Sequence, residues 1–85
     1  MAMFVIERNF AEQLNLTSDA ARLVTEINGD VGVHWLFSFL SADKKKTYCL
    51  YEAPNADAIR EAALRANLPA DVIVEVTELR PESFT

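Results

Sequence analysis

Cysteine, glycine and histidine are scarce in this 85-residue chain, and each scarcity excludes a kind of chemistry. The single cysteine, Cys49, cannot form an intramolecular disulfide. Gly29 and Gly32 are the only glycines, too few for a glycine-rich loop that cradles phosphates, so no nucleotide cofactor of that kind is expected. His34 is the only histidine, and without a second imidazole or thiol at ligand spacing there is no zinc signature. Positive charge is also short: eight Lys and Arg stand against thirteen Asp and Glu, for a net charge of −5. That balance argues against a nucleic-acid partner, which needs a basic surface. The one basic run, Lys44-Lys45-Lys46, falls at an expected turn, where solvation explains it better than anion binding. No apolar run of membrane-spanning length and no signal or transit segment is evident. The expectation is a cytoplasmic protein with no membrane partner.

What the chain does have is apolar surface. Hydrophobic residues make up 51% of it, including five Phe, two Tyr and one Trp. A chain of this length is one domain, and it buries only roughly 60–65% of the surface it exposes when unfolded. Self-association would hide the excess, so the chain is expected to form a homodimer.

Residues 3–10 are rich in strand formers and give a first strand. Thr17, Ser18 and Asp19 form a cap-like cluster, and Leu16, Ala20, Leu23, Val24 and Ile27 follow a helical period that Asn28-Gly29-Asp30 stops. The start of this helix is open between Ala11 and Ser18. Residues 31–41 are an aromatic and β-branched stretch, a second strand, and residues 42–45 a polar turn. Residues 46–52 form a third strand, closed by Ala53-Pro54-Asn55. Asn55 or Asp57 can cap a second helix whose narrow inner face is Ala58, Ile59, Ala62, Ala63 and Ala66, with Asn67-Leu68-Pro69 ending it. Residues 72–79 alternate apolar and polar as a fourth strand, and residues 81–85 read as a C-terminal tail. The order βαββαβ within residues 1–80 is that of an α+β, ferredoxin-like domain, a four-stranded antiparallel sheet with two helices on one face.

Strand alternation then assigns faces. A hairpin of even length centred between Asp43 and Lys44 sets Phe39 opposite Tyr48, Phe37 opposite Leu50 and Trp35 opposite Glu52. In the order four-one-three-two, Phe4, Ile6, Val72, Val74 and Val76 would lie under the helices. Val5, Glu7, Ile73 and Glu75 would lie on the uncovered face with the aromatics. His34 would point away from that set. The arrangement matches a dimeric α+β barrel, in which a second sheet closes over the open face.

Glu7, Glu52 and Glu75 are the carboxylates this register puts on one side of three adjacent strands. They admit three uses. They can bind a divalent cation through anionic oxygens. One of them can be held protonated as an acid or base. Each can instead pair with Arg8, Arg22 or Arg80. Trp35, Phe37 and Tyr48 are candidate walls for a ligand between the sheets, or interface packing. His34 is a candidate ligand at the dimer rim, and Cys49 reads as a small buried hydrophobe.

The strings Phe4-Val5-Ile6-Glu7-Arg8, Val33-x-Trp35-Leu36-x-Ser38-Phe39, Thr47-Tyr48-Cys49-Leu50-Tyr51-Glu52-Ala53-Pro54, Ala58-Ile59-Arg60-Glu61 and Leu68-Pro69-Ala70-Asp71 resemble a small bacterial family. It is catalogued as a domain of unknown function and known for a nickel-binding member with a ferredoxin-like dimer. The resemblance spans nearly the whole chain. It implies a homodimer and makes a divalent metal ion, nickel first, the expected ligand. Many members carry His where this chain has Phe37 and Ala62, and Arg where it has His34, so the family's imidazoles do not transfer residue for residue. The alternative function is a cofactor-free dimeric α+β barrel enzyme, monooxygenase- or isomerase-like. There Glu7 or Glu52 would act as base and Tyr48 as donor toward a small organic substrate.

Overall fold

The computed structural model describes residues 1–84. Its elements run β1 (Ala2–Asn9), α1 (Ser18–Asp30), β2 (His34–Leu40), β3 (Lys46–Ala53), α2 (Ala56–Ala66) and β4 (Val72–Val76), followed by a 3-10 turn at Pro81–Phe84. The strands form one antiparallel sheet in the order β2-β3-β1-β4, with β1 and β3 at its centre. This is the ferredoxin-like βαββαβ architecture. No helix is long and apolar enough to cross a membrane.

Local chemistry sets the helix limits. Thr17 Oγ1 accepts the Ala20 N–H at 3.1 Å, so α1 begins at Ser18 and residues 10–17 remain a loop without regular secondary structure. Two hydrogen bonds tie this loop to the β2–β3 turn: Phe10 N–H to the Lys45 carbonyl at 2.8 Å, and Leu14 N–H to the Lys44 carbonyl at 2.7 Å. Asn55 Oδ1 accepts the Ala58 N–H at 2.9 Å to start α2, and Asn67 in the left-handed conformation ends it. Leu16 therefore lies outside α1, and Leu23 is exposed rather than part of its inner face.

The core is one cluster between the sheet and the helices. Phe4, Ile6, Val33, Cys49, Tyr51, Ala53 and Ile59 are buried together. Ile59, Ala62 and Ala63 of α2 are buried, and the two alanines let the helix approach β3. The outer side of α2 carries the ion pairs Arg60–Asp57 at 2.8 Å and Arg65–Glu61 at 3.2 Å.

The hairpin centre lies where the sequence puts it. Phe39 pairs with Tyr48, Phe37 with Leu50 and Leu40 with Thr47. Ser41 and Asp43 hold the turn: Ser41 Oγ donates to Asp43 Oδ1 at 2.7 Å, and the Lys45 N–H donates to the same oxygen at 3.0 Å.

Two register expectations are corrected. The first concerns β2, where the pairing slips between Trp35 and Phe37. One extra residue in a strand inverts the faces beyond it. Trp35 consequently pairs with Tyr51 and packs on the core, whereas His34 pairs with Glu52 on the open face. The second concerns β4, in which Ile6 pairs with Ile73, Phe4 with Glu75 and Val5 with Val74. Ile73 packs against the core and Val72, Val74 and Val76 take the open face, the reverse of the expected assignment. Val72-Ile73-Val74 is apolar at every position, so alternation there carries no information about facing. Asp71 decides it. Its N–H donates to the Glu7 carbonyl at 3.1 Å, and its Oδ2 accepts the Asn9 N–H at 2.7 Å.

Candidate functional site

The open face of the sheet is formed by alternate residues of all four strands. Phe37 and Phe39 come from β2, Tyr48 and Leu50 from β3, Met3 and Val5 from β1, and Val72 and Val74 from β4. The Phe37 and Phe39 rings meet edge to face, 5.5 Å between centroids at 89°. Phe39 is 66% exposed, Phe37 50% and Tyr48 40%. These rings, with Val5 and Leu50, line a shallow apolar dish.

Polar groups sit at opposite ends of this face. At one end Glu7 pairs with Lys46 at 3.6 Å, and the Lys46 ammonium lies 5.8 Å from the Tyr48 ring centroid. At the other end His34 and Glu52 are cross-strand partners with side chains on the same side. Glu7 pairs with Tyr48, four residues along β3 from Glu52, so the two carboxylates start about 13 Å apart at ~3.3 Å per residue. Glu75 is on the other face of the sheet, in register with Phe4. The three glutamates are therefore not brought together. Among the described residues, no three His, Cys, Asp or Glu side chains are grouped so as to hold a metal ion. The combination that does arise is His34 with Glu52, one imidazole and one carboxylate.

The aromatic candidates divide in the same way. Phe37 and Tyr48 are on the open face. Trp35 is on the helix side, where its Nε1–H donates to Ser38 Oγ at 2.8 Å. The pairing expected for the glutamates through Arg8, Arg22 or Arg80 takes other partners. Lys46 meets Glu7, Arg22 pairs with Asp19, and Arg80 pairs with Glu78 and Glu82.

Arg8 is a chemistry-bearing residue whose burial the sequence reading did not pick out. It is only 3% exposed and makes no ion pair with a described carboxylate. Its Nη1 donates to the Pro69 carbonyl at 2.5 Å and its Nη2 to the Tyr51 hydroxyl at 3.4 Å, with the guanidinium 5.8 Å from the Tyr51 ring centroid. Burial pushes the Tyr51 phenol above its usual range, and the nearby Arg8 charge opposes that shift. Asn28, also buried, stands near the Tyr51 hydroxyl but outside hydrogen-bond geometry, leaving its Nδ2 without an acceptor. The signal for Arg8 was its parity: it is in step with Phe4 and Ile6 on β1, the two residues that mark the covered face.

A four-stranded ferredoxin-like sheet, helices on one side and an unpartnered aromatic face with a His–Glu pair on the other, defines a class of small α+β proteins. The chain belongs to the SCO4226-like family, described as nickel responsive protein SCO4226-like, whose family model matches residues 4–76. The crystal structure of SCO4226 from Streptomyces coelicolor A3(2) is 28% identical, with a TM-score of 0.77, over 93% of this chain and 100% of that one. No curated protein matches the chain. These comparisons lend no support to the cofactor-free enzyme alternative.

Proposed function

We propose that this protein is a cytoplasmic homodimer that binds a divalent metal ion, nickel first, with His34 and Glu52 as its donors. The observation that carries this reading is the cross-strand pairing of the sole histidine with a glutamate on the open face, in a chain whose family is described as nickel responsive. Imidazole nitrogen suits nickel, and a carboxylate beside it adds the charge that favours a divalent ion. One chain does not fit the ion by itself, because two donors leave most of its coordination positions to water. A two-fold dimer closed over the open face supplies a second His34–Glu52 pair, and the exposed aromatics supply the reason to dimerise. Phe37 and Tyr48 then line the space between the sheets. Glu7 is held by Lys46, and Glu75 lies outside that space.

Isothermal titration of chelator-treated protein with Ni²⁺ tests the metal reading, with His34→Ala and Glu52→Gln beside the unaltered chain. Saturable binding that each substitution weakens by about tenfold or more supports it, a change equivalent to ~1.4 kcal/mol per donor. Binding that survives in both variants removes these residues from the site, and no binding by the unaltered chain ends the metal reading. Sedimentation of the same samples reports the dimer.

A further inference from the structure

The two helices meet the sheet unequally. α2 buries Ile59, Ala62 and Ala63, whereas within α1 only Asn28, near its C-terminal end, is buried. The N-terminal half of α1 leaves a space on the helix side of the sheet, away from the His34–Glu52 pair. It is a cavity of about 210 Å³ beneath the loop of residues 10–17. Its walls are Phe10, Leu14 and Leu16 of that loop, Val24 of α1, Leu40 of β2 and Leu68 after α2. Leu16 and Leu40 are partly exposed to solvent and mark its open side. Protein interiors hold few voids larger than a water molecule, because lining atoms with no neighbour forfeit dispersion contacts.

The polar side chains at the wall are taken up by one another. Arg8 donates to the Pro69 carbonyl and to the Tyr51 hydroxyl, Trp35 Nε1–H to Ser38 Oγ at 2.8 Å, and Cys49 Sγ to Thr47 Oγ1 at 3.5 Å. The surface that faces the space is consequently almost wholly apolar. A water held there would need two to four polar partners, and the wall turns none toward it. An ion would lose its hydration with nothing in exchange. What the space accepts is a molecule without charge or hydrogen-bonding groups. Its size narrows the choice further. An engineered cavity of roughly 150 Å³ lined by Leu, Ile and Phe stays dry and takes benzene. This cavity is somewhat larger than that, yet below the ~300–1,000 Å³ that enclose drug-sized ligands.

We propose that this cavity is a binding site for a small neutral hydrocarbon-like molecule, an aromatic ring bearing a short alkyl chain, enclosed by Leu14, Leu16, Val24 and Leu40. The ligand restores the dispersion contacts that α1 does not make with the sheet. Selectivity comes from the missing polar groups: a charged analogue of the same size is rejected because it would be desolvated without a partner. Entry is past residues 10–17, a segment with no regular secondary structure that two backbone hydrogen bonds hold to the β2–β3 turn.

Trp35, the sole tryptophan, lines the cavity and so reports on its contents. The experiment titrates the full chain with ethylbenzene and with benzoate, following Trp35 fluorescence. The expected result is a saturable change with ethylbenzene and binding of benzoate at least about 100-fold weaker. Val24→Phe, which fills the cavity, should abolish the ethylbenzene response. Nuclear Overhauser contacts from ethylbenzene to the Trp35 ring and the Val24 methyls of the unaltered chain place the ligand even if Val24→Phe does not fold. Benzoate that binds as tightly as ethylbenzene overturns the proposal, as does the absence of any saturable change. Overhauser contacts to Phe37 and Phe39 instead would put the ligand on the open face and overturn it too. So would an ethylbenzene affinity that falls as protein concentration rises, which would mean that another copy of the chain fills the space.

Discussion

The two faces of the sheet carry the same kinds of residue under different cover. On the helix side Phe4, Ile6 and Tyr51 are buried, and with them Arg8, Asn28 and Thr47. On the open side Phe37, Phe39, Tyr48, Val72 and Val74 remain exposed while the polar groups Glu7, Lys46, His34 and Glu52 stand at the margins. Hydrophobicity alone would put the helices over the aromatics. Side-chain size puts them elsewhere, because α2 presents alanines and needs a face of short side chains such as Cys49 and Ala53 to approach closely. A polar cluster therefore lies inside, under the helices, and an apolar surface lies outside, on the open face.

The sharpest way to break the comparison is to delete one apolar residue from each face. Ile6 is fully buried at the centre of the covered face. Ile6→Ala should lower unfolding stability by about 2–5 kcal/mol in urea titrations, the sum of lost transfer energy and a residual cavity. Phe39 is 66% exposed in the single chain, so Phe39→Lys should barely disturb the protomer's own core. It should instead raise the dissociation constant of the proposed dimer about 100-fold, near 3 kcal/mol, when followed by sedimentation across a dilution series. If Phe39→Lys leaves sedimentation unchanged, the open face is not the contact surface.

How far the two faces could be told apart beforehand depended on the strand. β1 and β3 alternate cleanly, and for them parity alone separates Phe4 and Ile6 from Val5 and Glu7, and Cys49 and Tyr51 from Tyr48 and Leu50. The even β2–β3 turn was legible too, from the polar run around Asp43 and Lys44. The bulge near Leu36 was not, because Trp35-Leu36-Phe37 is apolar at three consecutive positions and an extra residue leaves no mark in such a run. That slip is what moves His34 into the site and Trp35 out of it. β4 failed for the same reason in Val72-Ile73-Val74. Glu75 was assigned by a parity that the Asp71 anchors reverse.

A smaller effect tests whether the buried polar cluster is left unsatisfied in the single chain. Asn28 Nδ2 has no acceptor, and an unmet buried donor costs about 1–3 kcal/mol. Asn28→Leu, close in volume, should therefore raise the denaturation midpoint by an amount equivalent to about 1 kcal/mol. A loss of stability instead would mean that the amide is satisfied in solution.

The smallest effect concerns Tyr51, whose environment should be felt only at alkaline pH. Burial raises its phenol above the unfolded value of about 10, against the opposing pull of Arg8. Above pH ~10 the unfolded chain loses this proton while the folded chain retains it, so the folded state binds more protons and stability falls with rising pH. The contribution is fully present below pH ~10 and declines through the interval up to the raised folded value. Tyr51→Phe should cost at most about 1 kcal/mol at neutral pH, from the hydroxyl contact to Arg8. It should also flatten the alkaline decline in melting temperature relative to the unaltered chain.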